Sequence, residues 1–273
     1  MPSYTAFTRS TIRQALGHNE AMTSSDQLPF AREIQQRLCL MQGRQAPSIV
    51  WPEGCYGSAG SWIVFVGPSP GGGSRNATPR DRVTDAETPL WNTDFLEPVS
   101  RWSNGFRASM QPLLECATGL PLLDGAAKLY AFVNFHWQQN PDAQNVREEG
   151  MRAGADDVVN VLSSIHPRLI VPMEMRTHNL LHEALTQCGY RTREPLEQDV
   201  AIQISAKGRF HRRMCTYSVD GSGPLSGSLV VKAPQHPARM FNRDYAFRCG
   251  AAIRSCAEQL FNRVDCISID ERV

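Results

Sequence analysis

Lysine is nearly absent from this 273-residue chain: Lys128, Lys207 and Lys232 stand against 25 arginines. So few primary amines leave little room for Schiff-base chemistry, which needs a desolvated lysine. No C-x-x-C pair occurs among Cys39, Cys55, Cys116, Cys188, Cys215, Cys249, Cys256 and Cys266, and their spacing suits neither a zinc ribbon nor an iron–sulfur ligand set. Neither a metal nor another cofactor is therefore expected, and the scattered thiols read as reduced cysteines of a cytoplasmic protein. A run of about 18 apolar residues is missing too, which argues against a membrane span. Residues 1–20 contain no apolar stretch of the kind a secretory signal needs. Charge of one sign is scarce overall: 28 basic and 27 acidic side chains leave +1. That balance weighs at first sight against a nucleic-acid partner.

The length suits a large α/β domain with ample core. Residues 1–60 read as an N-terminal helical extension, with Ser25 and Asp26 capping a helix over 27–41, and residues 61–273 as the α/β domain. Trp62 to Val66 is a continuous apolar run, as expected of a strand buried on both faces. Similar runs follow at Leu129–Val133, Leu169–Val171 and Ser228–Val231. Helices are expected over 106–118, 146–165, 178–187 and 244–264; in the second of these Met151, Ala155, Val158, Leu162 and Ile165 recur at helical spacing. A hairpin or sheet edge is expected near 201–205 and 214–219, and a long loop over 74–104. Strands alternating with helices predict a parallel sheet covered on both faces, with its active site beyond the carboxyl ends of the strands.

Three of those ends carry unusual residues. Gly67-Pro68-Ser69-Pro70-Gly71-Gly72-Gly73 lacks the Lys-Ser/Thr of a P-loop and the spacing of a dinucleotide fingerprint, but proline and glycine together make a rigid floor that a ligand can approach closely. Asn134 offers a donor and an acceptor, enough to read the edge of a base or an amide, although asparagine there also serves as a turn former. His236, between Pro234 and Pro237, sits in a stiff segment from which an imidazole can donate to a leaving group gaining negative charge. A purely structural histidine is the competing possibility.

In order and context, these elements resemble the uracil-DNA glycosylase superfamily over roughly residues 61–264. The residues that carry the resemblance are Gly67-Pro68-Ser69-Pro70-Gly71 after a buried strand, Tyr130-Ala131-Phe132-Val133-Asn134 with Pro141 beyond it, His166-Pro167-Arg168-Leu169-Ile170-Val171, and His236-Pro237 after the last core strand. The resemblance implies a three-layer α/β/α sandwich around a four-stranded parallel sheet. It implies hydrolysis of a base–sugar bond in DNA, with the nucleotide flipped into a pocket. By position His236 would bind the departing base and Asn134 would read its edge, while Gly67, Pro68, Pro70 and Gly71 would line the base and sugar pocket with His136 nearby. Trp91, Phe95 and Phe106 are candidates for a ring stacked on the base.

The sequence departs from the family where water would be activated. Pro68 and Ser69 stand where fast uracil-cleaving members carry Asp, Asn or Glu, so Ser69 is left to position water or Asp94 of the following loop to activate it. Ala238 replaces the serine of the last motif, and cluster-binding cysteines have no counterparts. The pocket is therefore expected to accept an altered or modified base, in repair or in defence against phage. A catalytically inactive DNA-binding protein of this fold and a small-molecule N-glycosidase are the alternatives.

Charge distribution brings nucleic acid back. Residues 201–264 carry ten basic and three acidic side chains, or +7, and the remainder carries −6. Lys207, Arg209, Arg212, Arg213, Lys232 and Arg239 are the expected contacts to single- or double-stranded DNA, with Phe210 and His211 interleaved. No membrane partner is expected, and no protein partner is inferable.

Overall fold

A computed structural model describes residues 56–57, 61–68, 112–117, 130–135, 146–193, 195–203, 208–236, 239–240 and 243–270. The strands are β1 (Tyr56–Gly57), β2 (Ile63–Gly67), β3 (Tyr130–Asn134), β4 (Leu169–Pro172), β5 (Arg191–Thr192), β6 (Leu196–Gln203), β7 (Arg209–Asp220) and β8 (Leu229–Val231). The helices are α1 (112–117), α2 (Glu148–Ala153), α3 (Ala155–Ile165), α4 (Met175–Gln187) and α5 (Arg243–Asp270). The expected helix over 27–41 and loop over 74–104 lie outside the described residues.

The strands form a mixed sheet in the order β1-β3-β2-β4-β8-β7, with β5 and β6 both paired to β7. The pairings β3–β2, β2–β4 and β4–β8 are parallel. Antiparallel strands flank this part: β1 on β3 at one side, β7 on β8 at the other, and β6 on β7 beyond. The sheet is thus wider than the four parallel strands expected from the sequence, and only partly parallel. Tyr56 and Gly57 already belong to it, pairing with Phe132 and Ala131.

Period-two alternation divides the core. Ile63, Phe65, Tyr130, Phe132, Leu169, Val171, Leu229 and Val231 pack with α1 and α5. Val64, Val66, Ala131, Val133, Ile170 and Val230 pack with α2, α3 and α4. Helices therefore cover both faces, which is why these strands are apolar at every position. Each fully buried large aliphatic side chain contributes about 1.5–3 kcal/mol.

Local signals explain most boundaries. The expected single helix over 146–165 is two helices joined at Gly154, each opening with an acidic pair, Glu148 and Glu149 and then Asp156 and Asp157, where the helix dipole favours negative charge. α3 ends at His166, left-handed with φ 55°, and Pro167 follows. α4 begins three residues before the expected His178, because Glu174 and Thr177 form a capping box. Among the described residues no helix is long and apolar enough to cross a membrane.

Candidate functional site

The carboxyl ends of the four mutually parallel strands are level with one another, because backbone bonds continue past each strand. Phe135 N donates to Gly67 O at 3.1 Å, Met173 N to Val66 O at 2.9 Å, and Ala233 N to Pro172 O at 2.8 Å. Along this rim stand Asn134, Gly67 with Pro68, Met173 with Glu174, and the 233–236 segment. The three strand ends singled out in the sequence therefore fall on one edge of the sheet.

Gly67 and Asn134 are register partners. A β-carbon on Gly67 would lie 2.5 Å from Asn134 Oδ1 and 2.9 Å from Met173 Cε. The glycine is needed for close approach, since the asparagine side chain crosses directly over its α-carbon. Asn134 is 5% exposed, so its amide group is held largely away from water. Pro68 is a buried bend immediately beyond.

His236 is half-buried. Burial pushes its imidazole below the usual histidine range; the carboxylate of Glu174 opposes that shift and Arg239 adds to it. A neutral ring near pH 7 suits a hydrogen-bond donor to an anion better than a full proton donor. Its segment is tied down on both sides. Arg239 N donates to His236 O at 2.9 Å, and Gln235 Nε2 donates to Arg239 O. Arg212 donates from Nη2 to Gln235 Oε1 at 2.9 Å and from Nε to Tyr245 Oη at 3.0 Å, and that hydroxyl donates to Gln235 Oε1 at 3.0 Å. The Arg212 guanidinium also lies over the Phe210 ring, 4.8 Å from its centroid.

This network corrects one expectation. Arg212 and Arg213 are both expected to contact DNA, but successive strand residues point to opposite faces, so the two do not share one surface. Arg212 lies on the face of β7 packed toward α5, where it braces the His236 segment. Arg213 lies on the other face, exposed and paired with Glu197 at 2.5 Å. Lys232 is a second correction. It is 6% exposed and its Nζ donates to Ala233 O at 2.7 Å, so its ammonium is not offered to a phosphate. Burial lowers its proton affinity. Arg239 is exposed, next to His236, as expected. Arg209 lies in β7 without a described side chain. Ser69, Pro70, Gly71, Trp91, Asp94, Phe95, Phe106, His136 and Lys207 lie outside the described residues.

Sequence reasoning overlooked Glu174, Gln235 and Tyr245. Glu174 was detectable as half of a capping box at the end of an apolar run; nothing in the sequence marks Gln235 or Tyr245 as braces. Among the described residues no cluster of three or more His, Cys, Asp or Glu side chains is placed to hold a metal ion.

Fold and rim together define a mixed α/β protein with a polar site at the carboxyl edge of its parallel strands. Comparison with known proteins finds no matching family model and no matching curated sequence.

Proposed function

We propose that this chain is a DNA glycosylase, a divergent relative of the uracil-DNA glycosylase superfamily whose three-layer α/β/α core is built on the β3-β2-β4-β8 parallel strands. Its substrate is an altered or modified base flipped out of single- or double-stranded DNA, removed in repair or in defence against phage with modified bases. The observation that carries this reading is the placing of Asn134 over Gly67 on the same strand-end rim that leads into His236. Asn134, nearly buried, presents an amide to the edge of the base. His236, neutral and braced through Gln235, donates a hydrogen bond to the base as the glycosidic bond breaks and negative charge moves onto it. Arg239 contacts a phosphate beside the flipped nucleotide.

The test is incubation with duplexes carrying uracil, mismatched, damaged and phage-type modified bases, scoring alkali-labile abasic sites. Excision of a base, lost in Asn134→Ala and His236→Ala, is the expected result. A second reading rests on Pro68: the first turn has no carboxylate there, as in a DNA-binding protein of this fold that has lost catalysis. Tight DNA binding without abasic product on any substrate would favour it. Failure to bind DNA at all would sink both readings.

A further inference from the structure

We propose, resting on the glycosylase reading, that Glu174 is the anion facing the reacting sugar: from the β4–α4 junction it stabilises the positive charge developing at the anomeric carbon and takes the proton of the attacking water. β4 lies between β2, which leads into Gly67 and Pro68, and β8, which leads into His236. Only Met173 separates Glu174 from the end of β4. Of the described acids, it is the one within two residues of the carboxyl end of one of the four parallel strands. Glu197 lies in β6 and Asp244 at the start of α5, away from those strand ends.

The carboxylate is fixed before any substrate arrives. It accepts the Thr177 N–H in the capping box and pairs with Arg176 at 3.1 Å, while Arg176 is anchored to Val146 O at 2.8 Å. Its side chain is 27% exposed, so the anion is held yet reachable. β4 and β8 are hydrogen-bonded neighbours, so Glu174 and the His236 segment leave adjacent strands at the same rim, and the carboxylate opposes the burial that lowers the imidazole. Preorganised charge beside a developing cation is the efficient way to stabilise it. In the step, the bond from C1′ to the base nitrogen breaks and its electron pair leaves with the base, held by His236. Water oxygen bonds to C1′, and its proton passes to Glu174 and then to solvent, while the base anion takes up a proton from solvent, leaving an abasic sugar and the neutral free base.

Glu174→Gln keeps an oxygen for the Thr177 N–H and removes the charge. The full chain and this variant would be assayed by single turnover on duplexes containing deoxyuridine, deoxyinosine or 5-hydroxymethyldeoxyuridine, with the His236 ring titrated by NMR. Glu174, from the β4–α4 junction, and Arg239, from its own segment, are the charges acting on that ring. The expected result is excision slowed at least about 100-fold, a lower His236 midpoint, nearly unchanged melting, and partial rescue by Glu174→Asp. Wild-type excision by Glu174→Gln, or an unmoved His236 midpoint, overturns the assignment to Glu174 alone. A wild-type chain that excises no base overturns the glycosylase reading, and Glu174's role with it.

Discussion

Asn134 Oδ1 occupies the space a side chain on Gly67 would need, 2.5 Å from where its β-carbon would sit. The two residues are paired across β2 and β3, so the strand register itself sets this contact. Both atoms that would meet the new methyl group, Asn134 Oδ1 and Met173 Cε, are ends of side chains and can turn aside. Gly67→Ala should therefore cost little stability, about 1 kcal/mol, yet displace the asparagine amide. Excision should fall about 100-fold, the penalty of misplacing a positioning group by about 1 Å. Melting curves and single-turnover rates on the same preparation check both halves.

Removing the Tyr245 hydroxyl tests the brace. Tyr245→Phe loses the acceptor for Arg212 Nε and one donor to Gln235, a change of about 1 kcal/mol in stability. Because Gln235 precedes His236, excision should fall more than binding of abasic-site DNA. Equal loss in both would show that the brace serves only the fold.

Arg239 and Lys232 should differ in their effect on the salt dependence of DNA binding. Arg239→Ala should reduce the slope of log affinity for DNA against log salt by about one unit. Lys232→Met should leave that slope unchanged, since the ammonium is buried against Ala233 O, and should hold or raise the melting temperature because a buried charge is removed. DNA titrations at several salt concentrations separate the two.

Acid should destabilise the fold through two histidines. Burial lowers the proton affinity of both His178 and His236 from the ordinary value of 6.5. The unfolded chain then binds more protons than the folded one, so stability rises with pH across the interval between folded and unfolded values and is lost as pH falls below about 6.5. His178, 3% exposed with no partner for Nε2, should contribute more than half-buried His236. Melting at pH values on both sides of that point, with His178→Gln expected to flatten the profile, checks the sign.

The parallel strands were legible because each is an unbroken apolar run up to its carboxyl end, as expected where helices cover both faces. The hairpin was less legible. It was expected near 201–205 and 214–219, yet β6 spans Leu196–Gln203 and β7 Arg209–Asp220. Glu197, Asp199, His211 and Arg213 interrupt the pattern on one face, and that same face of β7 becomes buried again at Cys215, Tyr217 and Val219. Asn134 and His236 could be picked out by position at strand ends. Their setting could not, since Gly67 meets Asn134 through register, and Gln235 meets Arg212 and Tyr245 through tertiary packing. The inward turn of Arg212 was in principle available, because alternation along a strand separates it from Arg213.

The charged outer face of β6 has one more effect. Among the described residues β6 pairs only with β7, which makes it the outer strand of the hairpin. On its exposed face Glu197 pairs diagonally with Arg213 and Asp199 is hydrogen-bonded diagonally to His211, cross-strand contacts that tie β6 to β7. Glu197 and Asp199 thus offset the positive charge of the hairpin to which they belong, and neutralising both would leave its exposed face markedly more basic.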